Sequence, residues 1–507
     1  MSEKLKASPQ QKPRDYFSTE HLEATLKQRS VRGGAITIIA QAAKFILQMG
    51  STIFLARFLS PNDYGLVGMT TVLLNFVQLF KDLGLSSATI QRPKISHQQV
   101  STLFWVNVAV GCGICLLICA LAPLIARFYD EPRLIYITLA LASVFVFSGL
   151  TVQHQALLKR QMRFGSLVVI EIASLTIGLA SGIAFALLGF GYWTLVLMPM
   201  VKALVNAIGV WVVCDWRPGL PRWSEEVRSA IAFGGNLTGF NSINYFSRNL
   251  DNILIGRLWG EVQLGLYAKA YQLVLLPILQ INVPIDSVVL PTLSRLQKEP
   301  AKYTRYYYQA VLAITFLGMP IVAFLFATTN KLIPLLLGEQ WLGVIPIFRF
   351  LMPAAFMGTF NIAQGWAYQS LNKTDRQLKI GLIVSTIDVI IFLVSIRWGA
   401  IGVAAAYGLS RPLVWLPSFI YCYHNTPLKV SKLLHTLMYP TATSLGAASI
   451  VMVINRLFPL LFNNMQTILL DALIYGVAYF AIWLIFPGGR KTIMTIWQTV
   501  RTLKKAK

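Results

Sequence analysis

The sequence predicts an all-α integral membrane protein built from two similar halves. Hydrophobic residues make up 55% of the 507 residues and charged residues only 13%, about half the charged share of a soluble domain. Apolar segments long enough to cross ~30 Å of hydrocarbon recur along the whole chain. Polar side chains also recur at matching places in two of these segments, 200 positions apart. These observations predict about fourteen transmembrane helices that include an internal repeat.

The predicted helices follow one another through short loops. Their approximate bounds are 33–56, 64–90, 99–126, 134–155, 166–188, 192–213, 231–255, 268–292, 306–328, 344–370, 380–396, 400–422, 436–454 and 465–486. Residues 1–32 are polar and basic and lack the apolar core of a signal peptide, so we expect the first helix to remain as an uncleaved anchor. No hydrophilic stretch is long enough to predict a separate soluble domain.

The Lys and Arg residues are distributed unevenly between alternate loops, and this predicts the orientation of the chain. Thirty of the 44 lie in the tails and loops of one face, and eight lie on the other. The positive-inside rule places the richer face, with both termini, in the cytoplasm. The net charge of +24 is therefore interpreted as a consequence of topology, and no nucleic-acid partner is expected.

The repeat predicts the domain organisation. Arg57 and Gly65 match Arg257 and Gly265 at an offset of 200. Six helices per half is an even number, so both halves share one orientation, as in a parallel repeat about the membrane normal. The predicted parts are a cytoplasmic tail at 1–32, a six-helix lobe at 33–214, a cytoplasmic linker at 215–230, a second six-helix lobe at 231–424, two additional transmembrane helices at 425–487 and a basic cytoplasmic tail at 488–507.

Polar side chains at bilayer depth supply the candidate binding site. In the first and seventh predicted helices they fall within about 80° of one face, and such groups normally face a bundle interior or a water-filled cavity. Lys44 and Arg248 would make that cavity attractive to anions, because a guanidinium is the natural clamp for a phosphate. The predicted substrate-binding residues are Gln41, Lys44, Gln48, Asn241, Asn244, Tyr245, Arg248 and Asp251.

Other intramembrane charges have several open interpretations. Asp286 and Arg349 are candidates for ion coupling or for cavity charge. Arg248 and Asp251 are three residues apart, so a local ion pair that only neutralises the helix is an equal alternative. Lys202 and Arg411 are assigned positions near helix ends, from which a long side chain reaches the interface, and hence structural roles.

The residues that enzymes and metal sites need do not form a recognisable pattern. Cys112, Cys115 and Cys119 share a helix face without a nearby His or acid, which favours packing. Gly178 and Gly182 form a motif for close helix packing rather than a nucleotide loop. We therefore expect no catalytic residue, no metal site and no cofactor. A membrane-bound polymerase or ligase would need a large outside loop, and the predicted outside loops are short.

Four segments carry a resemblance to a known family: residues 54–66, 82–92, 103–107 and 244–257. Residues 244–257 resemble the seventh-helix signature, and residues 54–66 the first-helix exit, of polysaccharide flippases (Wzx type) in the multidrug/oligosaccharidyl-lipid/polysaccharide exporter superfamily. Residues 82–92 and 103–107 are similar to its colanic-acid and lipopolysaccharide export branch. The likeness extends over roughly residues 30–425. It implies two six-helix lobes in a MATE-like V shape, a central cationic cavity and alternating access.

The resemblance also implies a substrate and a location. The substrate would be an undecaprenyl-pyrophosphate-linked oligosaccharide, flipped across the bacterial inner membrane to make exopolysaccharide, O-antigen or a colanic-acid-like polymer. Coupling to an H⁺ or Na⁺ gradient is expected, with membrane lipids, a polysaccharide polymerase and a chain-length regulator as partners. A lipid II flippase and a MATE-type multidrug or cation exporter stay open as alternatives. The second predicts an acidic cavity, which Lys44 and Arg248 oppose and Asp251 and Asp286 favour.

Overall fold

The computed structural model is helical throughout the part of the chain that it describes. That part comprises residues 17, 26–78, 80, 85–91, 95–222, 225–458, 464–486 and 489. Within it, the side chains of residues 26–39, 87–88, 91, 225–244, 246–248 and 464 lie outside the description. The described residues contain no β-strand. The predicted all-α class is confirmed.

The first half of the chain forms seven of the described helices. They are α1 (Leu26–Phe58), α2 (Pro61–Gln78), α3 (Leu85–Gln91), α4 (His97–Tyr129), α5 (Leu134–Arg160), α6 (Phe164–Leu187) and α7 (Trp193–Val213). A capping box fixes the start of α4: the Ser96 hydroxyl accepts from the Gln99 backbone N–H at 3.2 Å, and Gln99 Oε1 accepts from the Ser96 N–H at 2.9 Å. Such caps satisfy backbone donors that a helix start leaves unpaired. The local sequence therefore determines where α4 enters.

The second half begins with a long helix that is broken at a glycine. The helices are α8 (Glu225–Leu296), α9 (Pro300–Leu337), α10 (Val344–Ser370), α11 (Thr374–Ser395), α12 (Gly399–Tyr423), α13 (Val430–Leu457) and α14 (Asn464–Ile485). Gly260 has φ 77° and ψ −175°, a conformation that glycine adopts without steric cost. It separates α8 into a first arm, residues 225–259, and a second arm, residues 261–296. α8 starts within the segment predicted as a linker, and it joins the predicted seventh and eighth helices.

Ten of the described helical segments are long and apolar enough to cross a membrane. Two of them, Asn249–Leu296 and Thr374–Tyr423, have 48 and 50 residues, and each is long enough for two crossings because ~20 residues suffice for one. The ten segments overlap the predicted third to fourteenth helices, while α1 and α2 are not among them. The protein is a multi-pass membrane protein.

Backbone contacts divide the chain into two compact units. Unit 1 comprises residues 1–59 and 69–246, and unit 2 comprises residues 60–68 and 247–507. In unit 1, α5 packs against α4 and α7, and α6 packs against α7 and α1. In unit 2, α10 packs against α9 and α12, and α11 packs against α12. The start of α2 thus belongs to unit 2. The lobe and linker bounds stated above stay predictions.

Two glycines allow the start of α2 to cross the second arm of α8 within unit 2. A methyl group on Gly65 would lie 1.6 Å from the carbonyl oxygen of Glu261, and one on Gly265 would lie 1.9 Å from that of Pro61. The two contacts are related by the 200-residue offset of the repeat, since 61 matches 261 and 65 matches 265. Only a hydrogen atom fits at either position. The repeat in the sequence thus corresponds to a symmetric backbone contact.

One turn beyond Gly265, a lysine is buried among aromatic rings. Lys269 is 2% exposed, and its Nζ lies 3.6 Å from the centroid of the Tyr64 ring and 5.5 Å from that of Trp341. The two rings contact each other edge to face at 5.3 Å. No acid of the described chain forms an ion pair with Lys269. The ammonium is therefore stabilised by the negative faces of the rings.

A polar network attaches the last two helices to α9. Lys331 Nζ lies 3.0 Å from Asp471 Oδ2 and donates to Asn455 Oδ1 at 2.7 Å. Asn455 Nδ2 donates to the same carboxylate oxygen at 3.1 Å. Asp471 is 1% exposed, and a buried carboxylate needs a cation and hydrogen-bond donors to offset its lost hydration. This network joins α9, α13 and α14.

Candidate functional site

A cavity of about 620 Å³ lies inside unit 1. It is lined by residues of α2, α3, α5, α6 and α7. Its polar lining residues include Gln78, Ser86, Ser148, Thr151, Gln155, Lys159, Glu171, Lys202 and Asn206. Gln155 Nε2 donates to Asn206 Oδ1 at 2.9 Å, which links α5 to α7 across the polar lining. We name this space the unit 1 cavity.

Small residues bring the helices around this cavity together. A methyl group on Gly178 would lie 2.9 Å from Cβ of Lys202, and one on Gly182 would lie 2.9 Å from Sδ of Met198. The two glycines therefore let α6 approach α7 closely, as expected of this motif. The close approach places Lys202 beside α6, where it lines the unit 1 cavity.

The cationic side chains of unit 1 are not equivalent. Lys44 on α1 forms an ion pair with Glu171, and the two side chains are 18% and 49% exposed. Glu171, the acid among the lining residues, is thus already matched by a cation. Lys159 and Lys202 line the same cavity and have no ion pair within the described residues. The cavity is basic.

A second cavity, of about 510 Å³, lies inside unit 2. It is lined by residues of α8, α10, α11 and α12. The polar and aromatic lining residues include Asp286, Asn361, Gln364, Gln369, Gln377, Tyr407, Arg411 and Trp415. Trp366 Nε1 donates to Asp286 Oδ1 at 2.8 Å, so the carboxylate is held against α10. We name this space the unit 2 cavity.

The cation that lines the unit 2 cavity is paired. The Arg411 guanidinium forms an ion pair with Asp388, and each of these side chains is 17% exposed. The guanidinium carbon also lies 4.3 Å from the centroid of the Tyr407 ring. Arg411 Nε and Trp415 Nε1 are buried and have no hydrogen-bond partner in the described part of the protein. Among the described residues that line this cavity, no cation is left without a partner.

The two cavities are built from helices that correspond in the repeat. In unit 1 they are the fourth, fifth and sixth predicted helices, and in unit 2 the tenth, eleventh and twelfth. The second helix contributes in unit 1 and the eighth in unit 2. Lys202 and Arg411 each lie on the last helix of their six. The sequence analysis predicts positions near helix ends for both, but the structure places them near the middle of α7 and α12. Hydropathy alone does not show which helix face a residue occupies.

The predicted site residues divide into three groups. Lys44 contacts a lining residue of the unit 1 cavity, and Asp286 lines the unit 2 cavity. Gln41, Gln48, Tyr245, Asp251 and Arg349 line neither of these cavities. The side chains of Asn241, Asn244 and Arg248 lie outside the described residues. Binding roles for all of these residues stay predictions.

Asp251 and Tyr245, two of the residues that line neither cavity, form local hydrogen bonds. Asp251 is 3% exposed, and its carboxylate accepts from the Tyr267 hydroxyl and from the Asn252 backbone N–H, both at 2.8 Å. The Tyr245 hydroxyl donates to the Val72 carbonyl at 2.8 Å. Both side chains are therefore engaged within their own units. Gln41 and Gln48 are exposed.

Known proteins similar to this chain include proteins named for polysaccharide biosynthesis and transport. The chain is 24% identical over 390 residues to "Lipopolysaccharide biosynthesis protein WzxC" of Escherichia coli (strain K12), covering 76% of this chain and 78% of that protein. It is 24% identical over 316 residues to "Succinoglycan biosynthesis transport protein ExoT" of Rhizobium meliloti (strain 1021), covering 62% and 64%.

Similarity to a solved structure identifies the fold. The lipid II flippase MurJ, in an inward closed conformation, matches with a TM-score of 0.69 at 14% identity, covering 88% of this chain and 97% of that one. The helical arrangement is thus shared, whereas the sequences have diverged widely. A match to the family described as "Polysaccharide biosynthesis protein" extends over residues 54–346, which is more than half of the chain. The chain therefore belongs to the polysaccharide biosynthesis protein family.

Proposed function

We propose that this protein is a flippase for lipid-linked oligosaccharides. In this proposal it moves undecaprenyl-pyrophosphate-linked repeat units across the bacterial inner membrane, from the cytoplasmic leaflet, for the assembly of a surface polysaccharide. The observation that carries the proposal is the basic unit 1 cavity inside a membrane protein. In this cavity Glu171 is matched by Lys44, while Lys159 and Lys202 form no ion pair with any described residue. Family membership and the transport function in the name of ExoT support it.

The physical problem that such a flippase solves is the charge of the diphosphate. An anion in hydrocarbon loses its hydration, and that loss is far larger than any single contact could offset. Lysine ammonium groups in a polar cavity offer charge-assisted hydrogen bonds to phosphate oxygens. The polyprenyl tail needs no such help and stays in the lipid. A basic cavity within the membrane therefore fits the head group of this class of lipid.

The proposal has further parts that follow the family resemblance. Two six-helix lobes would alternate in access around a central cationic cavity to which Lys44 and Arg248 contribute. Both termini would be cytoplasmic, and an H⁺ or Na⁺ gradient would drive the cycle. A polysaccharide polymerase and a chain-length regulator would receive the flipped units. No catalytic residue is assigned, because the protein moves its substrate without changing a covalent bond.

Substitution of Lys202 tests the proposal. In a host whose surface polymer depends on this protein, Lys202→Glu should lower polymer export by roughly ten- to a hundredfold, because one charge-assisted contact is lost and a repulsive charge is introduced. Lys202→Arg keeps the charge and should retain most export. Lys302→Glu is the matched control, since Lys302 is 70% exposed, pairs with Glu299 at 2.5 Å and lines neither cavity.

The same experiment separates the alternatives. The polyprenyl-linked repeat unit should accumulate in the cytoplasmic leaflet when Lys202→Glu blocks export. Accumulation of lipid II instead would assign the protein to peptidoglycan synthesis. Sensitivity to cationic drugs with normal polymer would indicate a multidrug exporter. Wild-type polymer in Lys202→Glu cells that contain normal amounts of the protein would refute the role of the unit 1 cavity.

A further inference from the structure

We propose that the unit 2 cavity binds uncharged sugar residues of the transported glycan. This inference rests on the proposed function and adds a second subsite to it. The two cavities are built from corresponding helices, yet they differ in charge. The unit 1 cavity is basic and suits a diphosphate. The chemistry of the unit 2 cavity suits hydroxyl groups.

The charges that line the unit 2 cavity argue against an anionic ligand. Arg411 is its lining cation among the described residues, and that guanidinium already contacts Asp388 and the Tyr407 ring. Asp286, the lining acid, accepts the indole N–H of Trp366. Among the described lining residues, a diphosphate would meet the Asp286 carboxylate and no ammonium group. The unit 2 cavity is therefore poorly suited to an anionic ligand.

The remaining polar lining consists largely of carboxamides. A carboxamide has an acceptor oxygen and two donor hydrogens, so it can match a sugar hydroxyl, which also both donates and accepts. Four such side chains line the cavity: Asn361, Gln364, Gln369 and Gln377. An apolar drug or a bare phosphate would leave most of these groups unpaired. A polyhydroxylated ligand can satisfy them together.

Two buried donors indicate where ligand oxygens would bind. Arg411 Nε and Trp415 Nε1 have no hydrogen-bond partner in the described chain, whereas buried donors in folded proteins nearly always have one. Both residues line the cavity. Trp415 is also held in place by ring contacts with Phe360 at 5.2 Å and Phe419 at 5.3 Å. Its N–H is therefore a fixed donor.

Aromatic faces and cavity size fit the same ligand. The ring of Trp415, which lines the cavity, carries a negative face, which attracts the polarised C–H groups on one side of a sugar ring. The volume of about 510 Å³ lies within the range of small-molecule sites, ~300–1,000 Å³. Gln369 and Gln377 flank the turn between α10 and α11, which the charge distribution predicts to be cytoplasmic. Lipid-linked sugars are presented on that side.

Equilibrium binding of the free glycan tests the proposal. The probe is the repeat-unit oligosaccharide released from its lipid by mild acid, which removes the diphosphate, and the protein is the full chain in lipid nanodiscs. Trp415→Phe removes the N–H and keeps an aromatic ring, so affinity should fall about five- to tenfold. Asn361→Ala should weaken binding similarly. Lys302→Ala is the control, and a thermal melt confirms that each variant is folded.

Each outcome decides the proposal. Weaker binding in Trp415→Phe and in Asn361→Ala, with unchanged binding in Lys302→Ala, supports it. Equal affinity in all variants, or Na⁺ binding that depends on Asn361 without glycan binding, overturns it. Normal export in Lys202→Glu with weakened glycan binding in Trp415→Phe would refute the proposed role of the unit 1 cavity alone. Lost export in Lys202→Glu with undiminished glycan binding in Trp415→Phe would refute this subsite alone.

Discussion

Replacing Gly65 with alanine should separate the start of α2 from the second arm of α8. The new methyl carbon would lie 1.6 Å from the Glu261 carbonyl oxygen, whereas the closest comfortable C···O contact is ~3.3 Å. The two backbones must therefore move apart by roughly 1.7 Å, the difference of these distances. Both partners are main-chain atoms of helices, so no side-chain rotation can relieve the overlap.

The expected cost can be estimated from overpacking in other proteins. Inserting one methyl group into a well-packed contact costs about 1–3 kcal/mol, and the rigid backbones here place Gly65→Ala at the upper end. Gly265→Ala meets the Pro61 carbonyl at 1.9 Å and should cost nearly as much. The double variant should cost less than the sum, because one separation relieves both overlaps. A thermal melt of the purified protein, with the protein amount in membranes, measures these effects.

A neighbouring glycine supplies the control for this prediction. A methyl group on Gly68, one turn along α2 from Gly65, would lie 3.5 Å from the nearest Leu264 side-chain atom, which is ordinary packing distance. Gly68→Ala should therefore leave the melting temperature nearly unchanged. Equal melting temperatures for Gly65→Ala and Gly68→Ala would refute the reasoning. Full additivity in the double variant would show that the two contacts do not share one displacement.

Two further predictions concern ion pairs. Asp471→Ala should destabilise the fold by about 3 kcal/mol, because it leaves the Lys331 ammonium partly buried without its partner. The double variant Lys331→Met/Asp471→Leu removes both charges and should recover much of that stability. Thermal melts of the two variants measure both effects. Lys44→Ala should reduce polymer export, because it leaves the Glu171 carboxylate unmatched beside the unit 1 cavity. Adding Glu171→Gln should restore part of the export.

Specific results would contradict these two predictions. A double variant at Lys331 and Asp471 that melts as low as Asp471→Ala would mean that burial of an unpaired charge is not the cause. Export that falls further when Glu171→Gln is added to Lys44→Ala would mean that the carboxylate itself binds substrate. For Lys44→Ala, Lys302→Ala again provides a control for a general effect of losing one positive charge.

The helical membrane fold could be predicted because hydropathy and charge report on it directly. The bilayer determines which segments must be apolar and which loops are rich in Lys and Arg. Neither property depends on packing between helices. The bounds were less accurate: α9 extends over Pro300–Leu337, beyond the predicted 306–328, because a helix does not end where the hydrocarbon ends. The first arm of α8 likewise continues to Gly260, beyond the predicted end at 255.

The candidate site was harder to predict, because hydropathy gives depth in the membrane but no neighbours. Gly65 and Gly265 could be matched by their offset, but a repeat does not reveal that two equivalent residues touch. Lys44 was identified as a buried charge, whereas its partner Glu171 lies on a helix five elements later. The sequence predicts helix-end positions for Lys202 and Arg411, because hydropathy carries no information about the side chains around them. Roles for side chains such as Arg248 stay predictions.

The aromatic enclosure of Lys269 links helix movement to hydration. The ammonium is held by the Tyr64 ring at 3.6 Å and more weakly by Trp341, and the attraction requires the ring faces to stay within ~6 Å. Lys269 is 2% exposed with Tyr64 in place, and if the start of α2 withdrew, carrying Tyr64 with it, the cation would lose its closest stabilising group. Water would then have to reach it, or its proton would have to leave. Any such separation therefore replaces an aromatic contact of Lys269 with contact to water, or releases a proton from its ammonium group.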